Sequence, residues 1–236
     1  MKTLTCVVFL ATLALSATAV SAGTPSSLTV KAEGIGADGV IDPEYAFCVP
    51  SKKDHVKGGN DKSIGLSWSA GPAGTKSYAI VAVDPDVPTI FDDAGKEGKT
   101  LSASMPRKDF YHWVLFDIPA TRTEIPAGSD SRSLALNGKS DINTSYGVRG
   151  VNDYAPYFAS NPVRKGVYAG YDGPCPPWND ERVHHYHFKV FALDVTSLGL
   201  SAKRVTGPEA LRAIEKHILA EGEAVGTYTL NPSLRK

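Results

Sequence analysis

Four short segments of this chain place acids, histidines and prolines at the edges of apolar, strand-like runs. They are residues 84–88 (DPDVP), 110–113 (FYHW), 173–177 (GPCPP) and 184–188 (HHYHF). At the end of a strand, a side chain can face a pocket while the strand holds its backbone in place. Carboxylates, imidazoles and tight proline turns are the components of an anion pocket or a metal pocket, so the sequence predicts one of the two.

The acidic segment follows the apolar run 78–83. Asp84 and Asp86 stand two residues apart, and Pro85 and Pro88 each fix their own φ and restrict the residue before them. We therefore predict a stiff acidic turn that caps a buried strand. One carboxylate can accept a hydrogen bond from a ligand or orient a histidine, and the alternative is a solvated turn without a function.

The histidines open two other predicted strands. His112 begins an apolar run, and in the downstream segment strand alternation places His185 and His187 on one face and His184 and Tyr186 on the other. A single pocket can therefore receive only one of these pairs. A neutral imidazole can donate a hydrogen bond to a phosphate or carboxylate oxygen, and a protonated one adds charge-assisted binding.

Metal binding and catalysis are weaker interpretations of the same residues. A His-x-His pair supplies two ligands, and carboxylates would have to complete a zinc or copper site, so we predict no metal. The sequence has no Gly-x-Ser-x-Gly elbow, Walker loop, dinucleotide fingerprint or His-Glu-x-x-His helix. An Asp/His pair can serve acid–base chemistry, so an enzyme stays open. A binding role without catalytic residues or a cofactor is favoured.

Most of the chain is predicted to be β-structure. Short runs rich in Val, Ile, Tyr and Phe alternate with turns rich in Gly, Pro, Asn and Asp, which is typical of a β-sandwich or a large mixed sheet. The predicted strands are residues 63–69, 77–83, 112–118, 186–193 and 227–230. Residues 91–108 and 127–162 are predicted to be surface loops whose role stays open.

One helix is predicted near the C-terminus. Thr206 and Glu209 have the spacing of a capping box, and Pro208 suits the first turn. Apolar residues at helical spacing follow, and Gly222 provides a stop signal. We therefore predict a peripheral helix over residues 207–221.

The N-terminal residues resemble a secretory signal peptide. Lys2 precedes an apolar run at 4–20, and a small-x-small pattern ends at Ala22, where we predict cleavage. A single membrane anchor is the alternative, although the run is shorter than the ~20 apolar residues that a span prefers. Residues 23–236 would then form one mature domain without a membrane span, secreted or periplasmic.

The charge balance argues against nucleic-acid partners. The formal net charge of the chain is zero, and removal of Lys2 leaves about −1, so there is no basic excess to neutralise phosphates. A Lys/Arg-rich amphipathic stretch for a membrane surface is also missing from the sequence.

The cysteines agree with export. Cys6 lies within the predicted signal peptide, which leaves Cys48 and Cys175 as an even pair in a chain sent to an oxidising compartment. We predict a disulfide between them. In the chain-entropy model a loop of this length contributes about 4–5 kcal/mol, and the bridge would attach the GPCPP turn to the N-terminal region.

The ordered set of segments resembles the phosphatidylethanolamine-binding protein family, also called Raf kinase inhibitor-like proteins, and most closely its bacterial YbhB/YbcL branch. The resemblance covers roughly residues 27–230. The matching segments are TKSY (75–78), DPDVP (84–88), HWV (112–114), DIPA (117–120), NDY (152–154), YDGPCPP (171–177) and residues 184–194.

The resemblance implies a large β-sandwich with peripheral helices and an anion pocket near the ends of strands. In the family this pocket takes phosphate-like groups, including phospholipid headgroups. Transferred residue by residue, the pocket would consist of four ligand-facing side chains and four residues that shape its wall. These are Asp84, Asp86, His112 and His184, with Pro88, Gly173, Pro174 and Tyr186 in the wall.

Three departures from the family pattern concern the pocket. The insertion between Pro88 and His112 is longer than the bacterial branch usually has and could cover the pocket. His185 stands where the family usually carries Arg, which removes a permanent charge. Residues 155–167 stand where a short glycine-rich turn is more usual, which would rebuild the rim.

Three functions remain compatible with the sequence. The favoured one is an exported binding protein that holds a small anion or phosphorylated headgroup in the Asp/His pocket without covalent chemistry. The second is a protein-interaction or inhibitor module that acts on an extracytoplasmic enzyme or host factor. The third is a hydrolase or metal-dependent enzyme that uses the same Asp/His cluster.

Overall fold

The computed structural model describes residues 26–200 and 204–235, so the predicted signal peptide at 1–22 lies outside the described residues. A short 3₁₀ turn spans Pro43–Tyr45. In chain order the elements are β1 (Ser26–Ser27), β2 (Val30–Glu33), β3 (Cys48–Ser51), β4 (His55–Gly58), β5 (Gly65–Trp68), β6 (Ser77–Pro88), β7 (Arg107–Pro119), β8 (Glu124–Ile125), β9 (Val148–Arg149), α1 (Tyr154–Tyr157), β10 (His184–Leu193), α2 (Gly207–Ile214) and β11 (Ile218–Tyr228). Within these described ranges, no helix has the length and apolar character needed to cross a bilayer.

A six-stranded sheet forms the centre of the molecule, in the spatial order β1-β11-β10-β6-β7-β9. Its strands pair antiparallel except for β1, which pairs parallel with β11. A three-stranded sheet, β2-β5-β8, and the hairpin β3-β4 complete the β-structure. The mainly β architecture predicted from the sequence is confirmed.

The large sheet is buried on both faces because successive side chains of its central strands point in opposite directions. On β6, Tyr78, Ile80 and Ala82 pack into one apolar cluster, which also contains residues of β5 and β8. Ala79 and Val81 pack into a second cluster, which contains residues of α2. The sheet is therefore the middle layer between the smaller sheet and the helix, and its central strands can hold side chains rigidly.

The predicted helix is correct at its start and wrong at its end. The Glu209 carboxylate accepts hydrogen bonds from the Thr206 N–H and hydroxyl at 2.9 and 2.8 Å, but α2 ends at Ile214, and β11 begins at Ile218. Gly222 lies inside that strand, where a Cβ atom would be 2.1 Å from the Leu28 carbonyl oxygen. This glycine permits close approach of the neighbouring chain segment and does not stop a helix.

The acidic segment 84–88 is also different from the prediction. It continues β6 and does not form a turn, and the pairing register shifts between Asp84, opposite Phe110, and Val87, opposite Lys108. Three steps on β6 therefore match two steps on β7, which is the signature of a bulge. The bulge changes which side chains of this segment share a face.

The disulfide between Cys48 and Cys175 is confirmed, with a sequence separation of 127 residues. The Cys48 N–H also donates to the Pro174 carbonyl at 3.1 Å. Together these bonds attach the GPCPP segment to β3.

Candidate functional site

A cavity of about 220 Å³ opens where β6, β7 and β10 lie side by side. Each of these neighbouring strands supplies side chains that the sequence had singled out: Asp84 from β6, His112 from β7, and His184 and Tyr186 from β10. The same sheet register that packs the core therefore brings these four residues together.

His184 lies between two carboxylates at the base of the cavity. Its Nδ1 is 2.7 Å from Asp84 Oδ2, and its Nε2 is 3.2 Å from Asp180 Oδ2. Burial lowers the pKa of His184, but its hydrogen bonds to Asp180 and Asp84 outweigh burial and raise the pKa to about 9. At neutral pH His184 is an imidazolium ion with both N–H groups already bonded.

Arg107 extends this arrangement into a buried charge chain of Arg107, Asp180, His184 and Asp84. The Arg107 guanidinium binds Asp180 with both terminal nitrogens, at 2.5 and 2.9 Å, and donates its remaining N–H groups to backbone carbonyls. Burial raises the pKa of Asp180, but bonds from His184 and Arg107 outweigh it and hold that pKa below its usual value. All five N–H donors of Arg107 are used within the protein, so it has no donor left for a ligand.

The pKa of His112 is shifted in the opposite direction from that of His184. Burial lowers its pKa, and this effect exceeds the opposing influence of Asp84 and of the hydrogen bond to the Asp172 backbone. Nδ1 lies 2.9 Å from the Asp172 carbonyl oxygen. Because a carbonyl only accepts, Nδ1 carries the proton and Nε2 is an acceptor. No residue in the described part of the chain bonds to Nε2.

The Tyr186 hydroxyl is a second polar group without a bonding partner. It is buried, and no atom of the described residues completes a hydrogen bond of ordinary length with it. Burial and then the nearby Asp84 carboxylate raise the pKa of Tyr186 well above 10. The hydroxyl therefore keeps its proton and can donate it to a ligand oxygen.

Four of the residues predicted for the pocket lie outside its lining: Asp86, Pro88, Gly173 and Pro174. The bulge in β6 explains the first of them, because Asp84 and Val87 line the cavity while Asp86 turns away. The Asp86 carboxylate binds Arg182 at 3.0 Å and the His185 ring at 2.8 Å. Burial raises the pKa of Asp86, but bonds from His185 and Arg182 outweigh it and lower that pKa.

Gly173 lies outside the cavity lining and holds the adjacent segment in place. Its N–H donates to Asp61 at 2.7 Å, and a Cβ atom at this position would be 2.0 Å from the Tyr45 carbonyl oxygen. Burial and the adjacent Asp172 raise the pKa of Asp61 well above its usual value. Lys139 binds Asp172 at 2.9 Å. This cluster fixes the segment whose carbonyl orients His112.

The aromatic side of the cavity and the arginine in its described lining were not predicted from the sequence. The lining includes Arg164, whose guanidinium lies 5.2 Å from the ring centroid of Phe158 and 5.8 Å from that of Phe47. No carboxylate in the described part of the chain pairs with Arg164. Three aromatic residues within five positions, 154–158, were the available signal in a segment that was interpreted as a polar loop.

The loop at 91–108 forms another wall of the cavity. Phe91, Ala94 and Gly95 line it, and buried Asn179 holds the loop in place. The Asn179 side chain accepts from the Gly95 N–H at 2.8 Å and donates to the carbonyls of Asp93 and Lys99, both at 2.9 Å. Both predicted surface loops therefore contribute to the cavity.

A metal would need a different arrangement. Among the described residues, no group of three or more His, Cys, Asp or Glu side chains is placed to hold a metal ion. The acids nearest to His184 are bonded to it and to Arg107 instead.

The His184 imidazolium predicts a specific pH dependence of stability. The native pKa of about 9 exceeds the ordinary histidine value of 6.5, so the stabilising contribution of the imidazolium is complete below pH 6.5 and is lost as pH rises to 9. This loss amounts to about 3 kcal/mol in the free energy of unfolding. Urea titrations between pH 6.5 and 9 measure it.

Two variants assign that slope. His184→Gln should flatten it. His187→Gln should preserve it, because His187 lies on the same strand as His184 but is solvent-accessible and pairs with Glu223 of β11. A wild-type free energy of unfolding that stays constant from pH 6.5 to 9 would contradict the assignment.

Comparisons with known proteins agree with this geometry. The family model described as phosphatidylethanolamine-binding protein matches residues 33–229. A UPF0098 protein of Aquifex aeolicus is 32% identical over 170 residues, covering 72% of this chain and 75% of that protein. YbcL of Escherichia coli is 34% identical over 135 residues, covering 57% of this chain and 54% of YbcL, so this match spans about half of the relative's length.

Solved structures extend the agreement to the fold. The crystal structure of E. coli YbcL, described as a member of the mammalian PEBP family, superposes with a TM-score of 0.60 at 26% identity. It covers 86% of this chain and 99% of the YbcL chain. A Chlamydia trachomatis homologue shares the fold with a TM-score of 0.54 at 23% identity. The strand-end cavity, the ordered motifs and these matches lead to one conclusion: the chain belongs to the phosphatidylethanolamine-binding protein family.

Proposed function

We propose that this protein binds a small phosphate-type anion, either free or as a phosphorylated headgroup, in the cavity between β6, β7 and β10, without covalent chemistry. The observation that carries the proposal is the convergence of three polar groups that form no hydrogen bond of ordinary length with the described residues. They are the acceptor Nε2 of His112, the donor hydroxyl of Tyr186 and the guanidinium of Arg164.

The charges of the lining favour an anion. The His184 imidazolium and the Asp84 carboxylate cancel each other, and burial keeps His112 neutral. Arg164 then leaves the described lining with one net positive charge. A guanidinium matches the geometry of phosphate oxygens, and its charge is permanent.

The acceptor at His112 requires a proton in the complex. A phosphate oxygen can bond to Nε2 only if the ligand carries a P–OH group or if His112 gains a proton on binding. In both cases one proton lies between Nε2 and the ligand. Binding should therefore weaken as that proton becomes harder to supply.

Export is part of the proposal. The segment 1–22 has the pattern of a signal peptide, and the disulfide between Cys48 and Cys175 supports an oxidising compartment. We place the mature protein outside the cytoplasm, either secreted or periplasmic.

Tyr186→Phe separates binding from stability. Loss of a donor to a charged oxygen should weaken inorganic phosphate binding about tenfold or more. Among the described residues the hydroxyl makes no hydrogen bond of ordinary length, and its interaction with Asp84 is electrostatic, so the variant should unfold at about the same urea concentration. Isothermal titration of the oxidised protein and urea unfolding measure the two quantities, with His187→Gln as the matched control.

Unchanged phosphate affinity in Tyr186→Phe would contradict the proposed site. If wild type binds neither inorganic phosphate nor a phosphomonoester, the binding proposal fails and the interaction-module hypothesis takes its place. Turnover of a phosphomonoester, followed by ³¹P NMR, would favour the hydrolase hypothesis.

The proton at His112 predicts that phosphomonoester affinity falls as pH rises from 5.5 to 8. Free monoesters lose their second proton near pH 6, so binding at pH 7.5 should take up about one proton. Titrations in two buffers of different ionisation enthalpy measure this uptake. His112→Asn, whose amide donates without titrating, should abolish the uptake; flat affinity and no uptake in wild type would contradict the account.

A further inference from the structure

We infer that the ligand's second half is an aromatic ring and not an aminoalkyl group, so that the cavity selects aryl phosphates over phosphoethanolamine. This inference rests on the proposed phosphate site. It concerns the aromatic side of the cavity, which adjoins His112: the His112 ring centroid lies 4.9 Å from that of Phe110 and 5.6 Å from that of Tyr154.

An aromatic wall surrounds that part of the cavity. The rings contact one another edge-on and in offset stacks, with Phe110 and Tyr154 centroids 5.0 Å apart and Tyr157 and Phe158 centroids 4.9 Å apart. Phe91 meets Tyr157 edge-on at 5.6 Å. The aromatic wall consists of Phe91, Phe110, Tyr154, Tyr157, Phe158 and Trp178.

The wall is prearranged for a further ring. Aromatic pairs prefer the same edge-to-face and offset geometries that these side chains already adopt, and such pairs stabilise beyond the burial of their surface. Tyr157 lines the cavity while half of its surface remains exposed. An entering ring can therefore complete contacts with Tyr157 without displacing core side chains.

The described lining has no unbonded carboxylate that could pair with an ammonium group. The lining contains Asp84 as its only acid among the described residues, and Asp84 is bonded to His184 and to the Asp86 N–H at 2.8 Å. Aromatic faces can also attract cations. Arg164 already lies over the faces of Phe158 and Phe47, so a second cation would be repelled.

The size of the cavity sets an upper limit on the enclosed part of the ligand. Pockets for drug-sized ligands measure about 300–1,000 Å³, and a cavity of about 150 Å³ accepts benzene. The 220 Å³ here can therefore enclose one six-membered ring and a phosphate group, and an acyl chain would have to extend outside the cavity.

The test compares three probes by isothermal titration of the oxidised protein: phenyl phosphate, phosphoethanolamine and inorganic phosphate. Phenyl phosphate should bind at least tenfold more tightly than phosphoethanolamine, which should bind no better than inorganic phosphate. Tyr157→Ala should reduce phenyl phosphate affinity several-fold and leave inorganic phosphate unchanged, while Tyr157→Phe should retain it. Leu136→Ala, which removes a similarly exposed side chain from the preceding loop, is the matched control.

The outcomes separate this inference from the proposed function. One outcome would overturn the aromatic inference alone: inorganic phosphate binds, and phosphoethanolamine binds as tightly as phenyl phosphate or more tightly. Unchanged phenyl phosphate affinity in Tyr157→Ala would also overturn it. Failure of all three probes to bind would overturn the proposed phosphate site itself.

Discussion

The site depends on the buried charge chain of Arg107, Asp180, His184 and Asp84. It joins β7, the segment before β10, β10 itself and β6 through hydrogen bonds of 2.5 to 3.2 Å. Buried charges are costly unless they are paired and hydrogen-bonded, and here every charge has an opposite neighbour. Removing any member would leave an unpaired charge at the base of the cavity. The charge chain therefore restricts how the three strands can be arranged.

The same pairing determines which groups recognise a ligand. Because Asp84 and His184 neutralise each other, the carboxylate and imidazolium that look most reactive in the sequence are already bonded. Under the proposed function, recognition falls to His112, which burial keeps neutral, and to the hydroxyl of Tyr186, which makes no hydrogen bond of ordinary length with the described residues. Arg164 supplies the charge from a segment that belongs to the rim and not to the sheet.

Part of this arrangement could be predicted from the sequence: local patterns predicted the strands, the even pair of cysteines predicted the disulfide, and the resemblance to the family implied the pocket residues. The β-rich fold, the disulfide, and the side chains of Asp84, His112, His184 and Tyr186 were all expected, and these four residues line the cavity. Whether they bind a ligand remains a prediction.

The remainder depends on tertiary structure. A bulge turned Asp86 away from the cavity, and no local pattern reveals a bulge of this kind. Close packing against Leu28 placed Gly222 inside a strand where helical spacing had predicted a helix end. Arg164 and the aromatic residues Phe91, Tyr154, Tyr157 and Phe158 lie between the strands of the large sheet, where no periodic pattern predicted their positions.

The protonation states of the two buried histidines are the central claim, and they can be measured directly. In protein labelled with ¹⁵N at histidine, NMR at pH 7.5 should show His184 protonated on both ring nitrogens, and His112 protonated on Nδ1 alone. His112→Asn and His184→Gln variants assign the signals. A neutral His184, or a cationic His112 in the absence of ligand, would contradict the account.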